Sequence, residues 1–453
     1  MFHSPDWRSI TAFRNRPARD SHEIVAEFVR IPSNRRSSRN SHEFRYGTLG
    51  RAELAAALLA VLASVGTLLS LARSAPAQGR DPFVDARNRM VDDFLVREGI
   101  TNQAVLKSMR TVPRHKFVPP RDRDLAYNDQ AIAIGQKQTI SPPFIVAYMT
   151  EMLDPQPKDA VLEIGTGSGY QAAVLSGLVK DVYTIEIVEE LGRKAATVLK
   201  EYPNVHTKIG DGYQGWPEHA PFDKIIVTCS PEDVPRPLVE QLKEGGKMII
   251  PLGERYEQVF YMFEKQQGKL VKTRLLPALF VPMTGDAEKN RKVQPDPKNP
   301  QLHNGGFEID TEGDGHPVGW HYQRQLTLET RGAPEGKNFV KFENKDPGRN
   351  AIMLQGLAID GRAVSTIKVS LQARGDEIRN NGPNEQAAFI IQYFDSDRRP
   401  LDIDTIAIFD GTFGWKKVSK TLRVPRKSRE AIVRVGLAGA VGELDIDDVR
   451  ITK

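Results

Sequence analysis

Three glycines at alternate positions, Gly165, Gly167 and Gly169, follow the apolar run 161–164 and lead into YQAAVLSGL. Residues without a Cβ permit a tight turn and let the backbone approach a ligand closely. The spacing that cradles a dinucleotide pyrophosphate is G-x-G-x-x-G. Here the third glycine arrives one residue early. Two acidic positions stand downstream at suggestive distances. Glu186 ends the next apolar run, VYTIEI, 21 residues after Gly165. A carboxylate there can accept hydrogen bonds from both hydroxyls of a ribose. Asp211-Gly212 closes the following run, VHTKIG, where an acidic side chain can hold an adenine amino group.

An NAD enzyme and a methyltransferase would both show the glycines and Glu186. The early third glycine and the Asp211-Gly212 pair favour a shorter ligand folded across the first three strands, as S-adenosylmethionine is. Its product would be S-adenosylhomocysteine. The expected cofactor-binding residues are Gly165, Gly167, Ser168 and Gly169 of the turn, with Glu186, Asp211 and Gly212. Glu163, inside the strand before the turn, either braces it or contacts the cofactor.

Positioning these residues requires a parallel sheet. AVLEIG, VYTIEI, VHTKIGD, FDKIIVTCS and KMIIPLG read as strands, most of them separated by helical stretches such as YQAAVLSGL and 189–202. Alternation of this kind predicts a doubly wound α/β sheet, with ligands at the carboxyl ends of the strands. QVFYMFEKQ and KLVKTRLLP follow without a helix and predict an antiparallel closing hairpin.

The bulk numbers agree with a multidomain globular protein. At 453 residues the chain is too long for one ordinary domain, and 40% hydrophobic residues suffice for real cores. A formal charge of +5 is small for this length and argues against a nucleic-acid partner. Cys229 is the single cysteine, which excludes an intramolecular disulfide and a cysteine-based metal cluster. It sits in an apolar run and reads as an inert buried thiol.

Residues 1–50 are crowded with arginine, Arg8, Arg14, Arg16 and Arg19 among them, and read as a disordered extension. Residues 51–80 contain LAAALLAVLASVGTLLSLA, uncharged over 19 residues, between a basic flank and a small-residue tail. That outline fits a signal peptide or a membrane anchor. Residues 81–285 hold the α/β pattern. Residues 286–300 are charged and proline-rich, with little to bury, and read as a linker between separable units. From 301 to 453, short alternating runs such as STIKVSLQARG and AAFIIQYFD predict an all-β sandwich.

Six stretches in order, VPRHKFVPP (112–120), AIAIGQKQTISPPFIVAYMTEML (131–153), VLEIGTGSGYQAAVL (161–175), GDGYQGWPEHAPFDKIIVTCSPEDVP (210–235), LKEGGKMIIPLG (242–253) and FVPMT (280–284), resemble the protein-L-isoaspartate (D-aspartate) O-methyltransferases along that family's whole length. The resemblance implies a Rossmann-like methyltransferase that repairs damaged proteins. A methyl group passes from S-adenosylmethionine to the α-carboxylate of an isoaspartyl residue, and the ester then closes to a succinimide that hydrolyses partly to normal aspartate. It implies isoaspartate-containing proteins and peptides as partners, and Ser141 as the functional residue. Thr139, Ile140 and Pro142 would line the cleft between cofactor and peptide, and Thr284 would lie near the substrate carboxylate. The sequence departs from the family in Pro143, in its amino-terminal extension and in its added carboxyl-terminal unit.

That added unit resembles a jelly roll of the carbohydrate-binding-module type. Trp320, Tyr322, Phe413 and Trp415 are either sandwich core or a sugar-stacking face for a glycan partner. Glu308 with Asp445, Asp447 or Asp448 is a candidate calcium site; no metal is expected in the catalytic unit. A monomer is expected. Cofactor supply and family point to the cytoplasm, with anchoring or export through residues 54–72 as the alternative. The competing functional class is an exported or anchored glycan-binding surface protein whose methyltransferase unit is secondary.

Overall fold

A computed structural model describes residues 81–289, 291–310 and 313–453. The arginine-rich extension and the apolar stretch at 54–72 lie outside the described residues.

Two helices open the catalytic unit, α1 (Val84–Val91) and α2 (Gln103–Thr111). The Asn102 side chain accepts hydrogen bonds from the N–H groups of Ala104 and Val105, which satisfies the free donors at the start of α2. Val105, Leu106 and Met109 then fall on one buried face, the helical spacing that packs a helix on a core. A hairpin follows, β1 (Ile132–Gly135) and β2 (Gln138–Ile140), and then α3 (Pro143–Leu153). Pro143 occupies the first turn of α3, where its missing N–H has no helical partner to lose.

The seven-stranded sheet comprises β3 (Ala160–Ile164), β4 (Asp181–Glu186), β5 (Val205–Ile209), β6 (Phe222–Val227), β7 (Leu242–Glu254), β8 (Glu257–Gln266) and β9 (Lys269–Ala278), in the order β5-β4-β3-β6-β7-β8-β9. β3 to β7 run parallel, and β8 and β9 close the sheet as the antiparallel hairpin expected. Helices α4 (Tyr170–Ser176), α5 (Glu189–Val198) and α6 (Arg236–Gln241) connect the parallel strands. β3 and β6 are buried along most of their length because both faces of the sheet are covered. β3 neighbours both β4 and β6, so the strand order reverses there. The crevice at their carboxyl ends is the place such a sheet binds ligands.

The carboxyl-terminal unit is an antiparallel sandwich. One sheet has β10 (Leu326–Glu329), β11 (Phe339–Asn344), β18 (Val441–Thr452), β13 (Thr366–Arg379) and β16 (Gly411–Arg423) in spatial order. The other has β12 (Asn350–Ala358), β17 (Glu430–Ala438), β14 (Gln386–Phe394) and β15 (Pro400–Phe409). Inward residues of both, including Val369, Leu371, Phe389, Ile391, Val433 and Ile446, form its core.

The connecting segment is less free than its composition suggests. Arg291 is buried, and its Nη2 donates to the Ser230 carbonyl at 2.8 Å. Glu232 accepts from the N–H groups of Lys292 and Val293. The sandwich also packs on the catalytic unit. Arg349 pairs with Glu98 at 3.0 Å, His303 meets Glu257 at 2.8 Å, and His321 Nε2 donates to the Tyr256 carbonyl at 2.6 Å. Burial pushes the His321 imidazole down to about 4, so it is neutral at physiological pH. These contacts across the interface are made by polar side chains.

Candidate active site

The turn after β3 is held by the strand beside it. The N–H groups of Gly165 and Thr166 both donate to the Ile185 carbonyl, and Gly169 N–H closes the turn on Thr166 O at 2.7 Å. Gly165 has φ +99°, and a Cβ there would lie 2.7 Å from Thr228 Oγ1. Gly212 is closed for a different reason: a Cβ would lie 2.4 Å from Ile164 Cγ2. Both positions therefore exclude a side chain.

Two carboxylates flank the turn in different states. Glu186 Oε2 accepts from Gly167 N–H at 2.7 Å, and Oε1 accepts from Val188 N–H at 2.9 Å. Burial raises its pKa, and those backbone donors oppose the rise. Glu163 is fully buried, and neither of its carboxylate oxygens has a hydrogen-bond partner. Burial pushes it up to about 8, with the nearby Glu186 charge acting in the same direction. The Thr184 hydroxyl pulls the other way, although its close partner is Thr166 Oγ1 at 2.7 Å.

The opposite wall comes from β2 and the residues after it. The fully buried Arg114 donates from Nη2 to the Ser141 carbonyl and from Nε to the Ala126 carbonyl, both at 2.8 Å. Asp129 Oδ1 accepts from Phe144 N–H at 2.9 Å at the start of α3. The far end of the cleft is made by 281–284, stitched to the end of β6 by Ser230 N–H to Val281 O and Met283 N–H to Ser230 O.

These walls enclose one partly open cleft of about 830 Å³, mouth included. Thr139, Ile140, Ser141, Glu163, Gly165, Gly167, Ser168, Glu186, Gly212 and Thr284 all line it. Three expected residues do not. Pro142 caps α3, and Gly169 sits at the first turn of α4 with φ +91°. Asp211 spends its carboxylate on the N–H groups of Tyr213 and Asp286. Thr228 and Cys229 line the cleft but escaped the sequence reading. They follow a strand that the sequence shows, but only the position of β6 beside β3 brings them to the glycine turn. Burial raises the Cys229 thiol strongly, which keeps it in the protonated form.

Residues 86–288 match the family model of protein-L-isoaspartate (D-aspartate) O-methyltransferase. The protein-L-isoaspartate O-methyltransferase of Opitutus terrae is 51% identical over 230 residues, covering 50% of this chain and 96% of the relative. This chain belongs to the protein-L-isoaspartate O-methyltransferase family. The Gloeobacter violaceus member is 51% identical over 198 residues, covering 43% of this chain and 97% of its own. A solved protein-L-isoaspartate O-methyltransferase is 23% identical with a TM-score of 0.42, covering 59% of this chain and 84% of its own. As a member of this family the chain is an S-adenosylmethionine-dependent methyltransferase that acts on isoaspartyl residues of damaged proteins. The cleft fits that cofactor in two respects: the glycine turn lines it without side chains, and the Glu163 carboxyl that lines it has no partner within the protein.

Outside the methyltransferase cleft, the sandwich residues are dispersed. Trp320 is enclosed in the sandwich core, with Nε1 donating to Asn304 O at 3.0 Å. Tyr322 packs against the core of the methyltransferase unit, which leaves Phe413 and Trp415 on β16. The four rings therefore do not form one stacking face. Glu308 and Asp448 line a common cleft with Asp447, but Glu308 accepts from two backbone N–H groups and Asp448 pairs with Arg450. Asp445 is taken by Arg374. Among the described residues no group of three His, Cys, Asp or Glu side chains is disposed to hold a metal. No helix among them is long and apolar enough to cross a membrane.

Proposed function

We propose that the cleft works as two facing walls. The wall of Gly165, Gly167, Ser168, Glu163, Glu186 and Gly212 holds S-adenosylmethionine, and the wall of Thr139, Ile140, Ser141 and Thr284 holds the isoaspartyl carboxylate. The observation that carries this reading is the convergence of both sets on one cleft.

S-adenosylmethionine supplies a methyl group on a cationic sulfonium. The acceptor needs no general base, because a carboxylate with a pKa near 4 is ionised at neutral pH. What the chain must provide is orientation and a dry setting. The Ser141 hydroxyl donates to the substrate carboxylate and fixes the oxygen that attacks, so part of the orientational cost of bringing two substrates together is met before the reaction. Ile140, Val146, Met149 and Met283 give the cleft an apolar lining. Excluding water favours a step in which opposite charges cancel. Glu186 ties the glycine turn to the end of β4 and offers remaining lone pairs to a ribose. The Glu163 carboxyl, unpartnered within the protein, offers its carbonyl oxygen to a ligand N–H donor. We place the reaction in the cytoplasm, where the methyl donor is made.

Ser141→Ala tests the assignment. Losing one hydrogen bond to a charged group lowers turnover by roughly ten- to a hundredfold without abolishing it. Affinity for S-adenosylhomocysteine stays unchanged. Complete loss of turnover with a covalent adduct on Ser141 in the wild type, seen by intact-mass spectrometry after a single turnover, would overturn direct transfer.

A further inference from the structure

The sandwich reaches the back of the proposed substrate wall through one side chain. Arg324 is anchored in the sandwich by its own N–H, which donates to the Ile352 carbonyl of β12 at 3.0 Å. Its guanidinium crosses to the methyltransferase unit. Nη2 lies 2.8 Å from Asp129 Oδ2, with the side chains only 8% and 3% exposed. The N–H direction is off the oxygen, so the contact is an ion pair and not a hydrogen bond. The same guanidinium sits 4.3 Å from the centre of the Phe144 ring. Tyr322, two residues earlier, is half-buried with its hydroxyl enclosed and unpartnered.

Asp129 links this contact to Ser141. Its other oxygen holds Phe144 N–H, three residues beyond Ser141. On the other side of the loop Arg114 holds the Ser141 carbonyl. Asp129 is also the carboxylate whose charge acts on Arg114. One buried carboxylate therefore pairs with the sandwich guanidinium and holds the start of α3, while Arg114 holds the other end of the segment 141–144. Buried charges of this kind are costly unless their geometry is kept, so the loop and the sandwich constrain each other.

We propose that Arg324 is a positioning residue for peptide methylation: the added sandwich sets the Ser141 segment through Asp129. This rests on the reading of Ser141 and its neighbours as the substrate wall. Arg324→Met in the full chain raises the KM for an isoaspartyl peptide by about tenfold or more, as displacement of a reacting group does. The dissociation constant of S-adenosylhomocysteine, set by the other wall, stays within about twofold of wild type. Arg324→Lys keeps the charge without the planar fork and falls between the two; it also serves should Arg324→Met fail to fold. A lower melting temperature with unchanged KM and kcat per folded molecule would make the pair a mere fastener and overturn the proposal. Ser141→Ala is run in the same assay. If it leaves turnover untouched, the substrate-wall reading fails and this inference falls with it. If Ser141→Ala lowers turnover while Arg324→Met and Arg324→Lys keep the wild-type KM, this inference alone falls.

Discussion

Replacing Glu163 with glutamine changes how stability depends on pH, and the sign follows from where the carboxyl sits. The side chain is fully buried with both oxygens unpartnered, and burial lifts its pKa from 4.5 to about 8. In the native chain Glu163 is therefore largely protonated at neutral pH, whereas in the unfolded chain it is ionised above about 4.5. Between those values the unfolded state binds fewer protons, so stability is full below about 4.5, falls as pH rises to about 8, and is flat beyond. At about 1.4 kcal/mol per pH unit, the window sets a loss on the order of 5 kcal/mol. Glu163→Gln keeps the shape and carries no charge in either state, so it lacks this loss. Its amide N–H groups add a fixed penalty, which shifts the curve without tilting it. Urea unfolding of both proteins without cofactor, from about pH 5 to about pH 8, reads the difference. The stability of Glu163→Gln relative to wild type rises steadily across that range. A difference that stays level would mean that native Glu163 is ionised, and the reasoning from burial would be refuted.

Two further outcomes follow from the same geometry. Glu186→Ala removes ribose acceptors and also frees Gly167 N–H, so calorimetry reads S-adenosylhomocysteine affinity lowered by at least the roughly 1.5–3 kcal/mol of one charge-assisted hydrogen bond; unchanged affinity would remove Glu186 from the site. A chain of residues 81–290 retains the whole cofactor wall and binds S-adenosylhomocysteine, but melts lower and methylates peptides more slowly than the full chain, because Arg324 and His321 no longer brace it. Equal melting and equal turnover would show that the interface does nothing.

Much of the catalytic unit was legible because its physics is local. The apolar strands, the helices between them and the glycine turn each announce themselves within a few residues, and QVFYMFEKQ with KLVKTRLLP gave the closing hairpin by lacking a helix. Glu186 could be placed because a strand end is a fixed position. Asp211 was harder: its strand-end location was right, but a short acidic side chain there caps the turn with Tyr213 N–H and holds Asp286 N–H, neither of which spacing reveals. Thr228 and Cys229 needed the sheet order, since only β6 lying beside β3 brings them to the glycines. The interface was least legible. Arg324, Arg349 and His321 are polar residues in an otherwise ordinary β pattern, and their partners lie far away in the chain.

The most direct measurement is methyl transfer to a pair of synthetic peptides identical except for one residue, isoaspartyl in one and normal aspartyl in the other. Radiolabelled S-adenosylmethionine and the full chain are used, and base-labile methyl esters are counted. The expected outcome is esterification of the isoaspartyl peptide and none of its twin, with the label lost on mild alkaline treatment. Equal labelling of both peptides, or label that resists alkali, would contradict it.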